Sequence, residues 1–264
     1  MSGGEIDGSF TREVWRLGLE RLRWERLANL TRARSEHVCC VVRGGTLVSL
    51  GGSIDDPDDE IATASVETQH TRAAGEAALS RELPQLSCGA STLGRALVVD
   101  ESESVAGQVL HIGGSFASEL NGVFQISSEV WSVDLATGLC TPQPPLREAR
   151  SGFVAARLPG GRIVCAGDEV EGVSAEMWEP AQGQGQRDAP GHWRPLPSMD
   201  VERSNAAGCV LSDGRFAVLG GADGAGAHQS SCEALALDGV ERWEPMPPMH
   251  QARVPSRPRR WAGA

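Results

Sequence analysis

The sequence predicts an all-β chain of repeated four-stranded antiparallel units. Three observations carry that prediction. Short apolar runs alternate with glycine and proline along most of the 264 residues, which include 32 Gly and 15 Pro and show no collagen period. Asp213-Gly214 separates the apolar runs 206–211 and 216–219, and Asp-Gly in that setting marks a tight hairpin because its turn needs φ > 0. The pattern also recurs. Trp193 and Trp243 are 50 residues apart, as are Arg203 and Arg253, and Arg150 precedes Arg203 by 53. The glycines Gly113-Gly114, Gly167 and Gly220-Gly221 step by 54 and 53.

A period of about 50 residues with four strands per period is the pattern of a propeller blade. The clearest unit is 204–253: two runs joined at Asp213-Gly214, the glycine pair, a third run near Cys232, and a fourth around Trp243 that closes on Met246-Pro247-Pro248-Met249. Unit 151–203 repeats it with Glu176-Met177-Trp178-Glu179-Pro180, then Trp193, Leu196, Pro197 and Met199. Unit 88–150 carries a long insert at 100–107, then Gly113-Gly114 and Ser128-Glu129-Val130-Trp131, with Leu139-Cys140 where the second tryptophan belongs. Unit 35–87 has a clear first hairpin ending on Gly51-Gly52. Its second half lacks the tryptophan, with a third strand expected over 64–68 and a short helical excursion possible over 71–82. Residues 1–34 read as the outer half of a blade, with strands around Trp15 and Trp24, in preference to an amphipathic helix over 12–30. Residues 254–264 form a Pro- and Arg-rich tail.

Paired glycines, then S-x-E-x-aromatic-x-D/E-P, then Trp-x-x-Leu/Met-Pro-x-Met and Arg, resemble the kelch repeat. The resemblance covers most of the chain and is best in the last two units. It implies a kelch-type β-propeller of four full blades plus a partial one. The ring is either five-bladed, closed by a weak C-terminal strand, or an incomplete piece of a larger ring. Functionally the resemblance implies a non-catalytic protein-interaction module. Such modules serve as substrate-recognition adaptors for ubiquitin ligases or bind actin, and 1–34 is too short and too strand-like for the domains that usually attach them to a ligase. The enzymatic alternative is a sugar-processing kelch-type protein. The copper-radical oxidases of that architecture use tyrosine ligands, and this chain has no Tyr. A mutarotase-like isomerase, which needs paired acid and base groups, is the remaining enzymatic reading.

Composition narrows the function classes. A formal net charge of −11 opposes non-specific binding to nucleic acid or an anionic membrane. The chain contains no lysine, so a phosphate-loop or Schiff-base lysine is impossible. No apolar stretch is long enough for a membrane span, and the first residues lack the apolar core of a secretory signal. Seven cysteines without a C-x-x-C pair read as reduced structural thiols in a cytoplasmic or nuclear protein, with Cys40, Cys165, Cys209 and Cys232 buried in strands. The acidic stretch Asp55, Asp56, Asp58, Asp59, Glu60 lacks calcium-loop spacing, and the six histidines form no metal-binding pair. No cofactor or metal is expected.

The candidate site lies at the links between units. Arg34-Ser35, Arg150-Ser151 and Arg203-Ser204 occur at one repeat position, and Arg253 occupies the next. A propeller would set these arginines in a ring on one face, where guanidiniums bind carboxylates in bidentate fashion. By analogy with kelch adaptors, this rim is expected to bind an acidic peptide or protein segment, with Ser53, Ser115 and Asp223 in the post-diglycine loops setting specificity. The bland alternative is that each arginine ties one blade to the next. The tryptophans at 131, 178, 193 and 243 are expected to pack between blades.

Overall fold

The computed structural model describes residues 2–6, 9–18, 20–42, 45–55, 60–70, 80–83, 85–87, 94–100, 108–117, 124–170, 172–180 and 191–252. Strands dominate them. β1 (Glu5–Ile6) and β2 (Ser9–Phe10) form a hairpin, and β3 (Trp15–Gly18) pairs with β4 (Arg23–Arg26). After β5 (Arg34–Ser35) comes the first full blade: β6 (Val38–Val42), β7 (Thr46–Leu50), β10 (Val66–His70) and β11 (Ser80–Leu83). Between β7 and β10 project β8 (Ser53–Asp55) and β9 (Glu60–Ala62), and β8 pairs back to β5. The second blade is β12 (Arg95–Asp100), β13 (Gln108–Ile112), β16 (Val130–Asp134) and β17 (Cys140–Gln143), with the hairpin β14 (Ser115–Ala117) and β15 (Phe124–Ile126) inserted. The third is β18 (Val154–Arg157), β19 (Ile163–Ala166), β20 (Ala175–Glu179) and β21 (His192–Pro195). The fourth is β22 (Ala207–Val210), β23 (Phe216–Leu219), β24 (Cys232–Ala236) and β25 (Arg242–Met246). Each full blade is an antiparallel meander, so consecutive strands are neighbours.

The inner strands touch in succession, β6 to β12, β12 to β18 and β18 to β22, which is the arrangement of propeller blades. Side chains alternate between blade faces, as strand geometry requires. Val38, Val48, Leu50 and Val66 of the first blade meet Val109 and Val133 of the second. Ile112 and Val130 of the second meet Phe153, Ile163 and Trp193 of the third. Val154, Val164 and Met177 of the third meet Phe216, Leu235 and Trp243 of the fourth. β16 thus gives Val130 to one interface and Val133 to the other.

The tryptophans occupy these interfaces. Trp193 donates through Nε1 to the Pro144 carbonyl of the preceding unit at 3.0 Å and lies 5.6 Å from the Trp178 ring. Trp243 donates to the Pro197 carbonyl at 2.8 Å and packs edge-on against Phe216. The glycines that follow each blade's second strand permit close backbone approach. A Cβ on Gly167 (φ +74°) would lie 2.3 Å from the Arg203 carbonyl oxygen, and one on Gly52 (φ +91°) would lie 2.4 Å from that of Ser35.

Among the described residues of 12–30 there is no helix; β3 and β4 stand where the repeat places strands, as the outer half of a unit. The Leu30 N–H bonds to the Arg12 carbonyl just as Leu146 bonds to Ser128 in the second blade. Two expectations need correction. Ser80–Leu83 is a strand paired to β10, which excludes a helix running through to residue 82; residues 71–79 lie outside the described residues. Cys209 is exposed with all of β22 and Cys40 is only partly buried, whereas Cys165 and Cys232 are buried.

Candidate functional site

The repeat leads one to expect link arginines that face a partner. Instead the fold turns each described link arginine inward. Arg34, Arg150 and Arg203 are among the most deeply buried side chains, at 0%, 1% and 1% exposure. Each enters the next blade and ends on a glutamate of that blade's third strand. Arg150 Nε donates to Glu176 at 2.9 Å, and Arg203 Nε and Nη2 donate to Glu233 at 3.0 and 2.9 Å. Arg34 Nη2 pairs with Glu67.

The remaining donors are used the same way in each unit. Nη1 of Arg34, Arg150 and Arg203 donates to the carbonyls of Gly51, Gly167 and Gly220 at 2.8, 3.2 and 2.9 Å. The hydroxyls of Ser65, Ser174 and Ser231 accept from the same guanidiniums. The second oxygen of each glutamate takes a link N–H, from Thr31 at 2.6 Å, Arg147 at 2.8 Å and Asp200 at 2.8 Å. A buried ion pair survives desolvation only when its geometry is good and its other polar atoms are satisfied. Arg150 and Arg203 meet that condition. Arg34 meets it less fully, since its Nε is buried without a partner.

These contacts correct the expected rim. Ser35, Ser151 and Ser204 are buried beside the arginines, and Ser53 and Ser115 are buried as well. Ser204 donates to the Ala222 carbonyl. Asp223 spends its carboxylate on its own loop, accepting from the N–H groups of Ala225 and Ala227 and from Gln229 Nε2. Arg253 lies outside the described residues, as do Asp56, Asp58 and Asp59 of the acidic stretch. The repeat does bring the predicted positions to equivalent places, but as internal ties.

The glutamate partners are the residues that sequence reasoning missed. They are the Glu of the S-x-E motif: Ser65-Val66-Glu67, Ser174-Ala175-Glu176 and Ser231-Cys232-Glu233. The second blade shows the complementary case. Backbone bonds from Gly51 to Ser65 and from Gly113 to Glu129 place Trp131 where Glu67 stands in the first blade. The sequence of the link before that blade contains no arginine. Both members of the pair are absent together, which avoids leaving one buried charge alone. Trp131 instead donates to Glu129 at 3.2 Å, as Trp15 does to Glu13 at 2.9 Å in the N-terminal half-unit.

Beside Trp131, His111 is buried with neither ring nitrogen hydrogen-bonded. Burial lowers its pKa from 6.5 to about 4. The folded state therefore holds this imidazole neutral while the unfolded chain protonates near pH 6.5. The stability is intact above pH 6.5 and falls as the pH drops toward 4. From that shift, folding should weaken by about 2 kcal/mol between pH 7.5 and 5 through this group. Urea titrations across that range should show the slope, and His111→Phe should remove it.

The links expose both signs of charge: Arg32 and Arg147 on one side, Glu148, Asp200 and Glu202 on the other. The residue two beyond each arginine has a left-handed backbone: Glu36 (φ +54°), Gly152 (φ +62°) and Asn205 (φ +49°). The Asn205 N–H donates to the Gly152 carbonyl at 2.6 Å, joining neighbouring links. Exposed Glu169 is gripped there by Ser151 Oγ at 2.9 Å and Asn205 Nδ2 at 3.2 Å. At the end of the same unit, exposed Glu202 accepts the N–H of Gly224 from the next unit at 2.9 Å. Among the described residues no cluster of His, Cys, Asp and Glu has the geometry to hold a metal ion.

No protein-family model matches the sequence, and no curated protein matches it. The structure is similar to the solved structure of YjhT, with a TM-score of 0.72 over 96% of this chain and 84% of that one, at 12% sequence identity. At that identity the likeness speaks for architecture alone: this chain has the β-propeller fold, with four four-stranded antiparallel blades.

Proposed function

We propose that the chain is a non-catalytic interaction propeller of kelch type. Its diglycine face binds a protein segment presenting basic or amide groups. The observation that carries this reading is Glu169, an exposed carboxylate held in place by two links at once. Glu202 stands exposed just ahead of the next link. The link arginines, the groups that would select an acidic partner, are consumed inside the fold. Glu67, Glu176 and Glu233 are engaged with them there. As an adaptor the module would hold its partner while another subunit supplies any chemistry.

Fluorescence anisotropy against Arg/Lys-rich and Asp/Glu-rich peptide sets tests this. The basic set should bind, more weakly as salt rises. Glu169→Gln and Glu202→Gln should each lower affinity by up to about fivefold, the scale of an exposed ion pair, at unchanged melting temperature. Selection of the acidic set, or turnover of a sugar by the purified protein, contradicts the reading.

A further inference from the structure

We infer that Cys39 is a nucleophilic modification site, activated through Ser2 and His37, that takes small activated alkenes such as α,β-unsaturated carbonyl compounds. Cys39 is exposed on β6. It points away from the core shared with the second blade, toward the segment that precedes the first. Ser2 from that segment bridges two groups: its Oγ lies 2.8 Å from Cys39 Sγ and 2.8 Å from His37 Nε2. Ser49 Oγ, directly across on β7, lies 3.5 Å from the same sulfur.

His37 occupies an unusual position for a titratable ring. It stands three residues beyond the link arginine, where Phe153 and Ala206 stand in the third and fourth units. It is wedged between two glycines, since a Cβ on Gly3 or on Gly52 would lie 2.7 Å from it. Its Nδ1 is buried without a hydrogen-bond partner. The ring is thus fixed in place with Nε2 against Ser2 Oγ. Among the described residues, the charged groups close to the thiol along the chain and across the sheet include His37 itself, its neighbour Glu36, and the paired Arg34 and Glu67 beyond Ser49.

The thiol responds to this setting. Desolvation of the sulfur by the groups packed around it raises the pKa although Cys39 as a residue is exposed, but the charge of His37 and the hydrogen bonds from His37, Ser2 and Ser49 together outweigh it and lower the pKa from 9.0 to about 7. The adjacent Cys40 faces the apolar interface, and burial followed by repulsion from Cys39 raises it to about 12. Two neighbouring cysteines therefore differ in reactivity because strand alternation gives them opposite environments.

The reaction is a conjugate addition. Sγ gives up its proton through Ser2 Oγ to His37 Nε2 and attacks the β-carbon of the alkene. The C–S bond forms as the C=C π pair moves to the α-carbon, and the α-carbon then takes one proton, which His37 can return. No oxidant or further reactant enters.

Acrylamide labelling of the full chain, resolved by peptide mass spectrometry between pH 5.5 and 9, tests the inference. The reference is Cys39 in the same chain unfolded in urea. A lower pKa raises the thiolate fraction but weakens each thiolate as a nucleophile. Folded Cys39 should therefore react about sixfold faster than the reference at pH 6 and about threefold faster at pH 7, with the order reversing near pH 8. The midpoint should lie near 7. Ser2→Ala and His37→Gln should move the midpoint upward and erase the advantage at pH 6, and Cys40 should stay unlabelled. A midpoint at or above 8.5 in the folded wild-type chain overturns the inference. So does an unchanged midpoint in Ser2→Ala, which removes only a hydroxyl and leaves the fold testable even if His37→Gln unfolds.

Discussion

Glu176→Ala should destabilise the fold by about 3–5 kcal/mol, the range for removing one partner of a buried ion pair. The size follows from what remains. Arg150 would keep its charge at 1% exposure, with Nε unpaired, and the Arg147 N–H would lose its acceptor. Glu148 and Asp168 also approach the guanidinium, at 3.0 and 3.6 Å, and soften the loss without replacing the Nε contact. Glu67→Ala should cost at least as much, because among the described residues Arg34 has no second carboxylate within ion-pair distance, whereas Arg150 keeps Glu148 and Asp168. Chemical denaturation of the two variants side by side measures the difference. Equal and small losses, under about 1 kcal/mol as for exposed pairs, would show that these carboxylates are not structural.

Trp193→Ala should cost a comparable 3–5 kcal/mol, the range for truncating a buried aromatic. Trp193 closes the interface between the second and third blades over Ile112, Val130 and Phe153. Removing it opens a void there, and it also strips the Pro144 carbonyl of its donor at 3.0 Å. Trp178, half-buried and tilted 56° against the same ring, would lose its packing partner. Collapse of the site is limited because the sheet on each side is held by its own ladder. A melting temperature unchanged by the substitution would contradict the packing described for that interface.

The sequence makes the blade plan legible because glycine pairs, short apolar runs and tryptophans are local signals tied to backbone geometry. Trp193 and Trp243 fill the interfaces that their spacing assigns. The role of the arginines is harder to read, since an arginine repeated at a link looks alike whether it faces a partner or the interior. What decides is a glutamate in the next unit. Its distance along the chain differs between Arg34–Glu67 and Arg150–Glu176, because the loops after the glycine pairs differ in length. The S-x-E motif is visible in the sequence, but its connection to the preceding arginine is not. The Cys39 cluster is illegible for the same reason. Cys39 and His37 are near in sequence, yet the residue that joins them, Ser2, comes from another unit. Cys209 resembles its buried counterparts locally, and only its place on the inner strand of the fourth blade exposes it.

A double-mutant cycle on Arg203 and Glu233 separates internal ties from partner contacts. Arg203→Ala, Glu233→Ala and the double variant would be compared with wild type by urea unfolding. If the pair is an internal tie, each single change is severe, and the double costs less than the sum of the two, with a coupling of at least about 2 kcal/mol, toward the upper end for contacting residues. If the effects add and neither single change lowers stability measurably, Arg203 does not hold the third and fourth units together, and the link arginines are not the internal ties of this propeller.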